Sequence, residues 1–238
     1  MDSTTRPVAV ITGATRGIGL AIARDLADTH HLVIGGRSAD SVGPVVAGFP
    51  SAEGFVADLA DGGPGGSLET ALSELVPRLG RVDVLVHSAA LLGAGSVAEL
   101  DPATWSEVLA VNVVAVAGIT RALLPALRSA EGLVLMVNSG SGLVASAGSG
   151  LYCASKFALR ALADALREEE RPHGVRVTSL HPGRVDTDMQ HELVAFEGGD
   201  YDPSRYLRVE SVVRAARLAI DAAPDAAIEM VSVRPRGR

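Results

Sequence analysis

Short apolar runs alternate with longer helical stretches along the whole chain, and this alternation constrains the fold more than any other feature. PVAVIT (7–12), HLVIGG (31–36), GFVAD (54–58), VDVLVHS (82–88), GLVLMVNS (132–139), VRVTSLH (175–181) and AIEMVSV (227–233) have strand length and are nearly continuous in apolar residues. A strand with one wet face would alternate apolar and polar. A continuous run fits a strand covered on both faces, as in a parallel sheet flanked by helices. Helical spacing fills the gaps at 17–28, 67–79, 102–128, 151–170 and 211–222. Asp101 offers an N-cap oxygen to the third of these, and Pro102 a preset first-turn φ. Repeated βα units predict an α/β fold, a doubly wound sheet of about seven mostly parallel strands with helices on both faces. No composition break divides the chain, so one domain over 1–238 is expected. The stretch ADGGPGG (60–66) reads as a mobile loop.

Composition narrows the partners. Hydrophobic residues are 47% and aromatics 3%, so Val, Ala, Leu and Ile must fill the core. The net charge is −7 with no basic stripe, which argues against nucleic acid. One cysteine precludes an intrachain disulfide and suits a reducing compartment. MDSTTRPVAVITG lacks the basic, apolar and small-residue order of a signal peptide. No apolar run approaches the roughly 18 residues of a membrane span. The expectation is a soluble, cytoplasmic protein with no membrane partner.

TGATRGIG (12–19) directly follows the first strand, with Gly13, Gly17 and Gly19 spaced G-x3-G-x-G. Glycine lets the backbone turn tightly against a diphosphate, and free N–H groups at a helix start favour negative charge. A plain tight turn uses the same residues; the position between first strand and first helix sets this one apart. In a dinucleotide fold, an acidic residue about 20 positions past the glycines binds the ribose hydroxyls. Here that place, after Gly35 and Gly36, holds Arg37, and Arg16 lies inside the turn. A carboxylate repels a 2′-phosphate, whereas two guanidinium groups grip it. Either arginine alone reads as a solvated charge; their joint placement points to NADP(H). Asp58, closing the third strand, is placed to accept from an adenine amine, and an ordinary strand-end aspartate reads equally well.

LYCASKFALR (151–160) sets Tyr152 and Lys156 on one helical face, one turn apart. Alone, this is an ordinary exposed pair. Together with the glycine turn, the chain resembles the short-chain dehydrogenase/reductase family. The resemblance runs from TGATRGIG through YCASK to HPGRVDT (181–187). It includes Ser139, thirteen positions before Tyr152, and Asn112 in LAVNVVA. It implies a Rossmann-like fold, NADP(H), and hydride transfer between nicotinamide and a carbonyl or secondary alcohol. Tyr152 would be the general acid. An unperturbed phenol, pKa near 10, is only about 0.1% ionised at pH 7, so Lys156 would lower that pKa and also hold the ribose. Ser139 would hydrogen-bond the substrate oxygen and Asn112 would hold a water. The resemblance also implies cofactor contacts from Thr15 and Ile18 in the turn and from Leu59 beside Asp58. Further contacts would come from Ser88, Ala89 and Ala90, and from Pro182, Gly183, Val185 and Thr187 around the carboxamide. The family's usual N-N-A-G is here His87-Ser88-Ala89-Ala90, where main-chain contacts would survive. His87 and His181 read as satisfied buried histidines, Ser141 as fold-shaping and Cys153 as packing. No cluster has metal-ligand spacing.

Twenty-five residues, 184–208, separate Gly183 from the next helix. Segments this long are often lids. TDMQHELVAF reads as a short helix, Gly198-Gly199 as a hinge, and Phe196, Tyr201 and Tyr206 fall nearby. Leu91, Leu92, Val144, Ala145 and Leu151 would form the facing wall. Such a lining suits a small or medium, mostly apolar carbonyl or alcohol. Two other classes share the scaffold: an NADP(H)-binding regulator without turnover, and an epimerase or dehydratase. A pure binder has no need to keep Asn112, Ser139, Tyr152 and Lys156 together. The helix at 102–128 is apolar over most of its circumference, so it and 151–170 are expected to be buried in an isologous homodimer or a homotetramer.

Overall fold

The computed structural model describes residues 6–236, so the N-terminal residues MDSTT, on which the signal-peptide reading partly rests, lie outside the described residues. Seven strands form one sheet in the order β3-β2-β1-β4-β5-β6-β7. They are β1 (Val8–Thr12), β2 (His31–Gly36), β3 (Ala52–Val56), β4 (Val84–His87), β5 (Leu133–Val137), β6 (Arg176–Pro182) and β7 (Met230–Val233). Every neighbouring pair is parallel. The crossovers carry α1 (Gly17–Leu26), α2 (Ala39–Ala47), α3 (Ser67–Leu75), α4 (Pro102–Leu109), α5 (Ala115–Ala130), α6 (Gly150–Glu170), α7 (Asp188–Phe196) and α8 (Val209–Ile220).

Successive residues of a strand feed opposite faces. Ile11, Ile34, Val86 and Leu135 pack with Ile22 and Leu26 of α1 and Val212 and Ala216 of α8. Val10, Val33, Leu85 and Met136 pack with Leu75, Ile119, Leu123 and Leu159 on the other face. This double cover is why the central runs contain so few polar residues. At the edges it lapses: Val56 in β3 and Met230 in β7 are each 41% exposed.

The differences from expectation have local causes. The runs at 82–88 and 132–139 end early as strands, at His87 and Val137; Asn138 N–H still donates to Leu180 C=O at 2.7 Å before Ser139 turns into the cleft. α2 lies outside the helices expected from the spacing, and it contains both Gly43 and Pro44. Pro44 sits inside it and deprives the Asp40 carbonyl of its donor, a loss that water can make good because Asp40 is exposed. The 60–66 loop is tied to α3: Asp61 accepts from Ser67 N–H at 2.8 Å and Glu69 from Gly65 N–H at 2.5 Å. Asp101 caps α4 as expected, accepting from Thr104 N–H at 2.7 Å.

One correction concerns length. α4, a π-helical turn at Ala110–Val114, and α5 run on as one helix, Pro102–Ala130. By length and composition alone it is long and apolar enough to cross a membrane, with a mean hydropathy of 1.9 over an 18-residue window. Nearly half of that window, 44%, is buried inside this fold, where Ile119, Leu123 and Leu127 pack under the sheet.

Candidate active site

The glycine turn is seated on the segment after β4. Gly13 and Gly17 have φ of +64° and +55°, values that glycine adopts without penalty. Gly13 also lacks room, since a Cβ there would lie 2.7 Å from the N and Cα of Ala89. Thr12, not singled out from sequence, joins the two segments. Its hydroxyl oxygen accepts from Ser88 N–H at 3.2 Å and Ala89 N–H at 3.4 Å, and donates to Val86 C=O at 3.4 Å. The HSAA stretch is thus held through main chain. His87 departs from expectation. Its Nε2 lies 2.9 Å from Thr120 Oγ1, but Nδ1 is buried with no partner among the described residues. Only one ring nitrogen is satisfied, and burial pushes the pKa down to about 3, so the ring is neutral at ordinary pH.

Gly36 abuts Thr15, where a Cβ would meet Thr15 Cγ2 at 2.7 Å, so Arg16 and Arg37 follow touching positions. Arg37 is exposed and has no ion-pair partner among the described residues. Arg16 already has partners on α7: its Nη1 lies 3.1 Å from Asp188 Oδ2 and 4.0 Å from Glu192 Oε1. Asp58 Oδ1 accepts from Ala60 N–H at 3.0 Å, which fits the strand-end reading, and Leu59 packs against the core.

At the far end of the cleft, Ser139 follows β5 and Tyr152 and Lys156 stand on the first turns of α6. Lys156 is 2% exposed, donates from Nζ to Val137 C=O at 3.1 Å, and stands 5.6 Å from the Tyr152 ring centroid. Burial lowers its pKa to about 8. Burial also pushes the half-buried Tyr152 phenol up to about 12; Ser139, as hydrogen-bond partner, pulls it down, and Cys153 pushes it up. The expected lowering by Lys156 is not among these causes. Desolvation is the largest influence on the phenol, and one of the three ammonium hydrogens goes to the Val137 carbonyl. The phenol therefore keeps its proton at neutral pH, which suits a donor.

Asn112 sits in the π turn, 1% exposed. Its Oδ1 accepts from Leu91 N–H at 2.8 Å, and its Nδ2 donates to Leu91 C=O and to Ser155 Oγ, each at 3.0 Å. Ser155 in turn donates to Tyr152 C=O at 2.8 Å. Both amide hydrogens are spent on clamping the Leu91 segment to α6, so a water held by this side chain would have to donate to the second lone pair of Oδ1. π turns occur often at functional sites.

Gly183 N–H donates to Val233 C=O at 2.7 Å. Thr187 Oγ1 donates to Val185 C=O at 3.2 Å, and Thr187 Cγ2 lies 3.8 Å from a Cβ built on Gly17, so the segment ending β6 faces the glycine turn. Val185 bridges Leu207 at the base of 184–208. Of the three aromatics there, two hold the segment to itself. Tyr201 donates to Asp186, stacks on His191 with centroids 3.5 Å apart, and tilts against Tyr206 at 5.1 Å. Phe196, 51% exposed, reaches Gly148 instead. Leu151 does not form the facing wall; it is 0% exposed, packed into the space that Gly93 leaves. Val97 and Val144 stand exposed at the mouth, Val97 beside Gly150.

A glycine turn and a Ser–Tyr–Lys group thus share the ends of one parallel sheet, and the model of the short chain dehydrogenase family matches residues 7–198. The chain belongs to that family. This dehydrogenase is 36% identical over 210 residues to a monensin polyketide synthase putative ketoacyl reductase from Streptomyces virginiae, covering 85% of this chain and 79% of the relative. An alcohol dehydrogenase from the archaeon Thermococcus sibiricus, solved with 5-hydroxy-NADP, superposes with a TM-score of 0.84 at 30% identity, covering 97% of each chain. A variant actinorhodin polyketide ketoreductase, solved with NADPH, gives 0.87 at 25% identity, covering 99% of this chain and 98% of that one. Sequence reading of the dehydrogenase missed Thr12, Asp188 and Glu192. The two acids are four apart on α7, so their shared face was readable; that it meets Arg16, 172 residues earlier, was not.

Proposed function

We propose that this dehydrogenase transfers hydride between NADP(H) and a carbonyl or secondary alcohol of a small or medium, mostly apolar substrate, with Tyr152 as proton donor in reduction. The observation that carries the reading is the placement of Ser139, Tyr152 and Lys156 beside one another at the end of β5 and the start of α6, at the same end of the sheet as the Gly13–Gly19 turn.

The turn fits a diphosphate: it presents no side chain at Gly13 or Gly17, opens onto a helix start, and is flanked by two exposed guanidinium groups. Arg16 would exchange Asp188 for a 2′-phosphate. An exposed ion pair contributes at most about 1 kcal/mol, against roughly 1.5–3 kcal/mol for a hydrogen bond to a charged group. Relatives solved with NADPH and 5-hydroxy-NADP support the same choice. The bound nicotinamide supplies the hydride. Tyr152 O–H donates to the carbonyl oxygen, and Ser139 O–H is a second donor to it. Lys156, charged at neutral pH, keeps two ammonium hydrogens besides the one given to Val137 C=O, and these would hold the nicotinamide ribose hydroxyls. Main chain at Pro182, Gly183 and Val185, with Thr187, orients the carboxamide.

Residues 184–208 serve as the lid within a single domain, pinned at the base by the Val185–Leu207 bridge, with Phe196 over Gly148. Val97, Val144 and Phe196 make the mouth apolar, which supports an apolar substrate. Exposed Val114 on the long helix and Phe157 on α6 support an isologous homodimer; a monomer mass by light scattering at micromolar concentration would refute it. The reading as a whole is tested with a panel of acyclic diketones, cyclic ketones and acetoacetyl thioesters, following NADPH absorbance. No reduction across the panel would count against it.

A further inference from the structure

We propose that Asn138, Ser179 and His181 are positioning residues for Ser139, closing with its peptide group a ring of four hydrogen bonds that fixes where its hydroxyl can point. The inference rests on the reading of Ser139 as a donor to the substrate oxygen.

The ring begins at Ser139 N–H, which donates to Asn138 Oδ1 at 2.9 Å. Asn138 Nδ2 donates to Ser179 Oγ at 3.3 Å. Ser179 Oγ lies 2.8 Å from His181 Nε2. His181 Nδ1 lies 2.8 Å from Ser139 C=O. Two backbone groups determine every proton in it. A carbonyl can only accept, so His181 carries its hydrogen on Nδ1 and leaves Nε2 bare. Ser179 must then give its hydroxyl hydrogen to Nε2. A backbone N–H can only donate, so Asn138 turns its oxygen to Ser139 and its amide nitrogen to Ser179. Donation runs one way round, and each group is both donor and acceptor.

Burial makes the ring rigid. Asn138 is 4% exposed, and Ser179 and His181 are 0% exposed, so water does not compete and an opened bond leaves a costly orphan. The surroundings admit no slack. A Cβ on Gly142 would come within 2.6 Å of Asn138 Oδ1, and one on Gly140 within 3.2 Å of the Arg234 guanidinium. Arg234 Nη1 also donates to His181 C=O at 2.9 Å. With the peptide held on both sides, and Ser139 Oγ accepting from Ser141 N–H at 3.1 Å, the only freedom left at Ser139 is its hydroxyl proton. Tyr152 is a hydrogen-bond partner of that hydroxyl, and the substrate oxygen would be the acceptor in the proposed reaction.

The ring requires neutral His181. Burial is the largest influence and lowers its pKa from the ordinary 6.5; the bond to the Ser139 carbonyl opposes this, as does Asp164 on α6, while Arg160 on α6 and Arg234 after β7 add to the lowering. An imidazolium would put a second donor against Ser179 and break the one-way sequence. The ring is intact above that pKa and lost as pH falls through it.

The test uses the full chain, with NADPH and butane-2,3-dione or an acetoacetyl thioester as probe. His181→Leu should lower kcat on the order of tenfold, part of the roughly 10²–10³ that one positioned donor supplies, with KM for NADPH unchanged. In a Ser139→Ala background the same substitution should cost nothing further. His181→Asn keeps an N–H for the Ser139 carbonyl and should recover part of the loss while flattening the acid limb of the kcat profile. Ser179→Ala, a smaller change that protects against misfolding, should show the same dependence on Ser139. An equal kcat loss with and without Ser139, or no loss at all, overturns the ring and leaves the functional reading standing. An unchanged kcat in Ser139→Ala alone sinks both. Independently of turnover, nitrogen-15 spectroscopy should find neutral His181 protonated on Nδ1; a proton on Nε2 overturns the ring.

Discussion

At the β1–β4 end of the cleft, the groups that would meet the cofactor are main chain held open by Gly13 and Gly17, plus arginines in water. At the β5–α6 end the reacting groups are side chains, and the side chains around and supporting them are almost wholly buried: Lys156, Asn138, His181 and Ser155. Under the proposed function the difference follows from what each end would handle. A phosphate arrives with its own charge and is recognised by exposed opposite charge and by N–H groups at little desolvation cost. A proton moved between a phenol and a carbonyl oxygen needs donors whose direction does not wander, and a dry interior holds direction better than water does. The buried end bears the cost, because both Tyr152 and Lys156 are displaced from their ordinary pKa values by desolvation. Substitutions at the two ends should therefore differ in size and in the quantity they change.

Tyr152→Phe is the largest. It keeps the ring and removes only the transferable proton, so turnover should fall about 10²–10⁴-fold while NADPH affinity, read by fluorescence titration, stays within about twofold. Near-normal turnover would remove the phenol from the mechanism.

Lys156→Met comes next and should act in two directions. Lowering an ammonium from 10.5 to about 8 costs folding up to about 3 kcal/mol at about 1.36 kcal/mol per unit, so the variant should unfold at higher urea while losing turnover. The sign with pH follows from proton counting. Between about pH 8 and 10 the unfolded chain holds a proton that the folded one has released, so this group raises stability as pH rises. The variant should lack that rise. A variant less stable than the parent at pH 7 would mean that the Val137 bond outweighs burial.

Effects at the exposed end should be smaller and confined to affinity. Arg37→Ala should weaken NADPH about tenfold and spare NADH; equal loss for both would show that it does not meet the phosphate. Asp188→Asn, smallest of all, frees Arg16 and should tighten NADPH by about fivefold or less. Weaker binding would mean that the Arg16–Asp188 pair assists the cofactor instead of competing with it.

The legibility of the sequence divides along the same line. The glycine turn and Arg37 were legible in spacing along one strand–turn, and Tyr152 and Lys156 in their spacing on one helix once the family resemblance gave that spacing a role. His87 was readable as buried but not as half-satisfied, because the partner that its Nε2 finds, Thr120, is on α5, and nothing in the sequence says which face of that helix it meets. Asn112 shows the same limit. Its place in the long helix was plain, but the π turn and its clamp on Leu91 arise only once α6 packs alongside.

The sequence by itself determined the mostly parallel sheet covered on both faces, the glycine turn between the first strand and the first helix, and the spacing of phenol and ammonium one helical turn apart, since all of these are set by periodicity and by residue types at short range. Tertiary structure alone decided the protonation of Tyr152 and Lys156, the pairing of Arg16 with α7, and the ring through Asn138, Ser179 and His181. The physical reason is common to them. Desolvation and hydrogen-bond direction depend on which groups surround an atom in space, and in this fold those groups come from strands and helices that lie far apart in the chain.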